Sequence, residues 1–498
     1  MTVASGIRAS RWREPGKVAL VCDERSLTYA QLVDRIDRVA ALVRAGFGLS
    51  MGDRVAVVAG NCLEYIEIVS GASDAGLAVA TINPRQTSAE IGYILSDCGA
   101  RIVFVGPEFE AVARAAQAPC VERFVVIGPQ YEEFLTRTNP RDEDRLLVEE
   151  WQAFALPYTS GTTGRPRGVT LPHRSRVATF FGMAVEYGCY GPDDRYLAIA
   201  PLFHGAGYAF AHAAIFFGGT CEILSRFEPD IAIARLHETG AAGTFMVPTH
   251  FHAIFALEAA VLERNRGTGL KALVSNAAPL PQRTKERIVD YFGEGLLHET
   301  YGSTEAAIVT NLRPADQLRK TQCVGKAFPL NEIRLLGDDG QPVASGEVGE
   351  LFSVSPTLFL GYWNQPDATA ASLRNGWFSA GDLARQDEEG YYYLVDRKKD
   401  MYISGGVNVY PREVEEFLFR IPGVKEAAVV GVPDDYWGEV GRAFVVAMPG
   451  ATLDADAVLA GCRGALASHK VPRQVSFIDA LPRNAAGKVL KTELRKGG

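Results

Sequence analysis

The densest concentration of phosphate-holding groups in the sequence is Tyr158-Thr159-Ser160-Gly161-Thr162-Thr163-Gly164-Arg165-Pro166-Arg167-Gly168, directly after the apolar Phe154 to Leu156. Hydroxyls and unhindered glycine amides in one loop can wrap phosphate oxygens, and two arginines add charge. An ATP triphosphate fits that description. The Gly-x4-Gly-Lys-Ser/Thr order of a Walker loop is absent, and the same composition also suits an ordinary polar turn. Downstream, Tyr301-Gly302-Ser303-Thr304-Glu305 offers an aromatic face for a base and hard oxygens for Mg2+. Trp377 to Asp382 ends in a carboxylate suited to two ribose hydroxyls. Asp396-Arg397-Lys398-Lys399-Asp400 is a charged cluster followed by the bare backbone of Gly405 and Gly406, and Pro482 to Lys488 places a lysine on a turn. Each also has a plain structural reading: Trp377 as core, Asp382 as a cap, Arg397 as a solvated charge, Lys488 as a tail lysine.

These groups need elements to position them. From Leu27 to about Val261, strand-like runs (Arg54 to Ala59, Arg101 to Val105, Thr244 to Val247) alternate with helical patterns such as Tyr29 to Ala45. That alternation predicts doubly wound α/β layers. From about Gln322 to Leu394, short strands punctuated by Gly337, Gly340, Gly346, Gly349 and Gly361 predict a small, turn-rich β region. After Lys398, Pro411 is placed to open a helix with Val414, Phe417 and Leu418 on one face. Apolar runs at Ala427 to Val432 and Ala443 to Met448, then a helix around Ala455 to Ala467, complete a compact α+β tail. The boundary is expected near Lys399, giving domains 1–398 and 399–498.

At 498 residues, 47% of them apolar, the chain has enough material for several cores. A net charge of -8 argues against an extended nucleic-acid footprint, which demands a positive field. Eight cysteines lie far apart, with no Cys-x-x-Cys pair or zinc-spaced cluster, a pattern suited to a reducing compartment. The charged start has no apolar segment behind it and does not read as a secretory signal. Tyr208 to Phe217, which holds His212, is too short to span a bilayer and reads as a buried helix. A cytoplasmic protein is the expectation.

Taken together and in this order, these segments resemble the adenylate-forming superfamily: acyl-CoA synthetases, adenylation domains of peptide synthetases and firefly luciferases. Leu27-Thr28-Tyr29 and Gly346-Glu347-Val348-Gly349-Glu350-Leu351 look like further family segments. The resemblance implies a large N-terminal domain of two doubly wound α/β subdomains plus a β-barrel-like subdomain, and a small mobile α+β domain after it. It implies that Thr159, Ser160, Gly161, Thr162, Thr163 and Gly164 hold the ATP phosphates, that Tyr301 with Gly302 meets adenine beside Ala277 and Ala278, and that Asp382 and Arg397 hold the ribose. Glu305, assisted by Thr304, would ligand Mg2+. Lys488 would bridge the carboxylate and the α-phosphate, Lys399 would be the hinge, and Gly405 and Gly406 would line the coenzyme A path. His204 matches a gate beside the carboxylate, and Ala206, Gly207, Asn276 and Thr300 would wall the acyl pocket.

The implied activity is an acid:coenzyme A ligase working through an acyl-AMP, on an aryl or medium-chain acid. A free-standing ligase that loads a carrier protein is the rival enzyme, although Pro201 to Gly207 supplies no acidic partner for an amino-acid amine. A regulatory nucleotide binder is the rival from another class, and the presence of Lys488, Glu305 and Asp382 weighs against it. Two departures stand out. Arg167 occupies a position where relatives usually carry lysine, and Asn276 and Thr300 stand where long flat pockets often have glycine. Glu299 reads as a structural carboxylate in preference to a pocket wall.

Overall fold

The computed structural model describes residues 1–140, 146–160, 165–483 and 489–496. Its contacts divide the chain into two units, Met1–Glu332 with Ser353–Phe378, and Ile333–Phe352 with Ser379–Gly498.

The first unit holds two open sheets. In one, the parallel strands Arg54–Val58, Ala78–Ile82, Ile102–Val105 and Arg123–Val126 lie side by side. The inner ones are near-continuous runs of Val, Ile and Ala because helices cover both faces. The intervening helix Ser88–Cys98 is started by a reciprocal Thr87/Glu90 capping box and ended by Gly99 at φ +64°. Ala153–Ala155 extends this sheet and pairs antiparallel with Pro166–Pro172, which also forms a hairpin with Tyr158–Ser160. Thr159 and Ser160 thus lie on a short strand paired with the start of Pro166–Pro172.

The other sheet has nine strands. Its parallel centre runs Val18–Cys22, Thr220–Ile223, Arg195–Ala198, Gly243–Met246, Ala272–Ser275 and Leu297–Ser303, followed by antiparallel Ala307–Leu312. Fully buried Leu197, Ile233, Met246, Phe251 and Leu273 knit it to its helices. Tyr208 to Phe216 is indeed buried helix, within Gly205–Phe216. His212 and His173 clasp the start of the chain: Val3 N–H donates to His173 Nδ1 at 3.2 Å, and Val3 C=O lies 2.9 Å from His212 Nε2.

In the second unit, Val348, Gly349 and Glu350 pair antiparallel with Asp382–Gln386, which pairs in turn with Tyr392–Arg397. A five-stranded sheet follows, built on the long hairpin of Val424–Asp434 and Gly438–Ala447. Pro411 occupies the first turn of the helix Pro411–Leu418, whose Val414 and Leu418 enter the core with the helix Ala455–Ala465 behind them. The turn-rich region predicted as one piece is shared between the units, because Ser353–Phe378 groups with the first. Lys399 lies inside the second unit. Among the described residues no helix is long and apolar enough to cross a membrane, and all eight cysteines are free.

Candidate active site

In open α/β sheets ligands bind outside the carboxyl ends of the strands. In the nine-stranded sheet those ends carry Pro201–His204 after Arg195–Ala198, Asn276–Pro279 after Ala272–Ser275, and Tyr301–Glu305 at the close of Leu297–Ser303. His204, Ala277, Ala278, Thr300, Tyr301, Gly302, Thr304 and Glu305 are therefore brought to one edge of one sheet.

Local sequence explains how each is held. Ala277 adopts φ +75°, and the Asn276 side-chain oxygen accepts its N–H, so Ala277 and Ala278 are presented as exposed backbone. The register shifts between Tyr301 and Gly302, and a Cβ at Gly302 would fall 1.9 Å from the Ala307 carbonyl oxygen. Only glycine fits that crossing. Thr300 is buried, with its hydroxyl 3.5 Å from the Ser275 carbonyl. Glu299 pairs with Lys285, itself only 1% exposed, and accepts the Leu280 N–H at 3.3 Å. The carboxylate thus ties the Asn276–Leu280 strip to its strand, which settles it as structural. A Cβ on Gly207 would lie 2.1 Å from the Pro201 carbonyl oxygen, so its smallness closes the turn into the helix.

Glu305 is fixed from two sides. Its carbonyl accepts Phe359 N–H at 2.8 Å, and Oε1 accepts the Tyr362 hydroxyl at 2.9 Å. Oε2 takes no hydrogen bond among the described residues. A carboxylate oxygen left open in this way suits Mg2+, which uses one or two carboxylates and completes its octahedron with phosphate oxygens and water. Burial and the Glu305 charge push the Tyr362 phenol upward, keeping it a donor. The Arg167 guanidinium stands 5.5 Å from the centre of the Tyr362 ring. At that distance the charge lies within cation–π range of the ring.

The paired strands Tyr158–Ser160 and Pro166–Pro172 are anchored beside Asp97. Tyr158 donates to Asp97 at 2.6 Å, Trp363 donates to the Asp97 carbonyl at 3.0 Å, and a Cβ at Gly168 would lie 3.0 Å from the Tyr158 ring. Thr159 and Ser160 pair with Arg167 and Pro166. Gly161, Thr162, Thr163 and Gly164 lie outside the described residues.

His204 precedes the helix Gly205–Phe216, with its ring tilted on Phe203 at 4.7 Å. Surrounding protein, then the charge of Arg85, lowers its pKa below the usual histidine value, which favours the neutral imidazole. Sequence reasoning missed Arg176. Its side chain is buried, and burial brings its pKa down to about 10 against the opposing pull of Glu305. The available signal was an arginine three and four residues from Thr179 and Phe180 on the buried side of its helix.

The second unit carries its own cluster. Asp382 and Arg397 are direct cross-strand partners, with Nε to Oδ1 at 3.2 Å. Asp396 accepts the N–H groups of Arg397 and Arg412, fastening this strand to the helix Pro411–Leu418. Gly405 and Gly406, at φ +58° and +80°, form the two-residue turn between Tyr402–Ser404 and Val407–Val409. A Cβ at Gly405 would meet the Trp437 ring at 2.6 Å, whereas one at Gly406 would meet nothing. Burial lowers the Lys399 pKa, and its carbonyl accepts from Arg495 at 3.3 Å. Lys488 lies outside the described residues.

Residues 8–363 match the AMP-binding enzyme family, and residues 413–488 match the AMP-binding enzyme C-terminal domain. A feruloyl-CoA synthase from Amycolatopsis sp is 38% identical over 95% of this chain and 94% of its own. An indoleacetate–CoA ligase from Aromatoleum aromaticum is 35% identical over 97% and 95%. Among solved structures, ATP-bound MatB from Rhodopseudomonas palustris superposes with a TM-score of 0.90 at 31% identity, covering 100% of this chain and 99% of that one. The o-succinylbenzoate CoA synthetase from Bacillus subtilis, in complex with its acyl-adenylate intermediate, gives 0.87 at 27% identity, covering 98% and 97%.

Proposed function

The chain belongs to the AMP-binding enzyme family and is an AMP-forming acid-thiol ligase; on that premise we propose that it activates an aryl or medium-chain carboxylic acid and transfers it to coenzyme A. The observation that carries the site assignment is the gathering of His204, Ala277, Ala278 and Tyr301 to Glu305 at the carboxyl edge of one sheet.

A carboxylate is a poor electrophile because oxide would have to leave. One carboxylate oxygen therefore attacks the α-phosphorus of ATP, the bond to the β-phosphate oxygen breaks, and pyrophosphate departs. The thiol of coenzyme A, as thiolate, then attacks the acyl carbon of the mixed anhydride, and AMP leaves with the electron pair of the broken C–O bond.

In this reading Thr159 to Gly164 hold the phosphates, Tyr301 stacks on adenine beside Ala277 and Ala278, and Asp382 with Arg397 holds the ribose. Glu305 and Thr304 would hold Mg2+, which neutralises phosphate charge when bound. Neutral His204 flanks the carboxylate without adding a competing proton. Lys488 stabilises charge between carboxylate and α-phosphate in the transition state. Ala206, Asn276 and Thr300 face the acid, and Gly405 with Gly406 admits the pantetheine arm. We also propose the division into 1–398 and 399–498 about a hinge at Lys399, and a cytoplasmic setting.

ATP–pyrophosphate exchange across a panel of aryl and medium-chain acids, followed by thioester detection, tests the reading. Exchange without a coenzyme A thioester would assign the chain to the carrier-loading ligases instead, and no exchange with any acid would overturn it.

A further inference from the structure

Two sources of positive potential meet at one point in the first unit. The helix Gly205–Phe216 has twelve residues and no side-chain cap, and the amides of Gly205, Ala206 and Gly207 find no acceptor among the described residues. Uncapped amides and the helix dipole attract an anion there. Beside them stands Arg176, 3% exposed. Its Nη2 is so near Gly205 that a Cβ on that glycine would lie 3.5 Å away.

Nothing in the described residues neutralises this guanidinium at ion-pair distance. Its one hydrogen bond, Nη2 to the Thr304 carbonyl, is 3.5 Å long, the limit for such a bond. Glu305 acts on it from farther away and already accepts from Tyr362. Arg176 lines a cavity with His204, Gly205, Tyr208, Phe154 and Leu202, so its low-dielectric walls are largely apolar. A buried, unpaired charge is costly, and an apolar side chain of similar size would stabilise the fold better. An arrangement that accepts this cost twice over, at the guanidinium and at the helix end, is built to receive a negative group.

We propose that Arg176 and the first turn of the helix Gly205–Phe216 form a carboxylate-binding subsite for the acid substrate, an inference that rests on the ligase reading. Arg176 supplies a planar pair of donors matched to a carboxylate, and the amides supply donors from the helix side. The carboxylate is either the one that reacts or a second one carried by a dicarboxylic acid.

The test is calorimetric titration, without ATP, of wild type, Arg176→Leu and Arg176→Lys. The probes are an aryl monocarboxylate, the matching aryl dicarboxylate, and the corresponding amides. Arg176→Leu should weaken carboxylates by about 10- to 100-fold, the scale of one lost charge-assisted bond. Arg176→Lys should weaken them less, and amide binding should be unaffected. The melting temperature of ligand-free Arg176→Leu should equal or exceed that of wild type, since the variant removes an uncompensated buried charge. Equal losses for both acids identify the reacting carboxylate as the ligand, and a loss confined to the diacid identifies the second one. Carboxylate affinity left unchanged by Arg176→Leu, or absent from wild type, overturns the subsite. So does a lowered melting temperature with unchanged affinity, which would make Arg176 a purely structural cation. Pyrophosphate exchange on wild type is the separate check on the ligase reading: its absence would overturn that reading while Arg176-dependent carboxylate binding stood.

Discussion

Glu305 shows how one carboxylate is kept in place while part of it stays available. Its backbone is held by Phe359 and one oxygen by Tyr362, so the fold survives loss of the charge. Glu305→Gln should preserve the melting temperature, because the amide oxygen still accepts the Tyr362 hydroxyl. It should lower pyrophosphate exchange at limiting Mg2+ by about 10- to 100-fold, as expected when one charge-assisted contact is lost. An unchanged Mg2+ dependence would remove Glu305 from the metal site. At this scale the sequence was informative wherever the residue type implied unusual backbone: Gly302 and Gly405 stand where a Cβ would collide with Ala307 and Trp437. It was uninformative for Arg176 and Lys285. An isolated charge in a helical pattern reads as a solvated face, and only the tertiary partner shows otherwise.

The strip from Asn276 to Leu280 is held against its neighbouring strand by the Lys285–Glu299 pair, which crosses from the helix Gln282–Phe292 to Leu297–Ser303. Lys285→Met would leave Glu299 buried without its counter-charge, a loss of about 3–5 kcal/mol for pairs of this kind. The expected result is a clear drop in melting temperature, with much of it restored in Lys285→Met/Glu299→Gln. If the double variant melts no higher than the single one, the pair is not the clamp. Element types were largely legible because buried parallel strands such as Arg54–Val58 and Gly243–Met246 are short apolar runs between helical patterns. The helix expected over Tyr29 to Ala45 instead ends at Ala41 and widens into a π turn at Leu42–Gly46, a change of hydrogen-bond spacing that periodicity does not encode.

For the whole molecule, two outcomes test how the parts cooperate. Lys488→Ala should cripple adenylation by about 100- to 1,000-fold yet largely spare conversion of a supplied acyl-adenylate to thioester. Lys399→Pro should do the reverse, since fixing φ restricts a hinge at that position. Half-reactions measured separately decide this, and equal losses in both steps for either variant would refute the division of labour. The second outcome concerns acid. Burial depresses His173 and His212 to about 4, so the folded protein keeps them neutral while an unfolded chain would take up protons near 6.5. Their contribution to stability is therefore intact above about pH 6.5 and declines as pH falls towards 4. Melting temperature should decline over that window. A variant with both histidines replaced by Phe should show a shallower decline, and an unchanged slope would mean other groups govern it. The partition of the chain was only partly visible beforehand. Ser353–Phe378 joins the first unit through non-local strand pairing, such as Gly361 with Thr170, which no local pattern announces.

The clasp on Val3 and the pairing of Val18–Cys22 with Thr220–Ile223 also set a timetable for the nascent chain. Val3 and the parallel edge of Val18–Cys22 wait for partners encoded about 170 to 210 residues later. At about 5–20 residues per second that is a wait of roughly 10–40 s. During that interval the strands from Arg54 to Val126 have their whole sequence available, and the helix Ser5–Arg13 can already be fastened through Arg8 to Asp37 and Asp74. The ion pairs of Arg8 can thus form before the two histidines that clasp Val3 have been made.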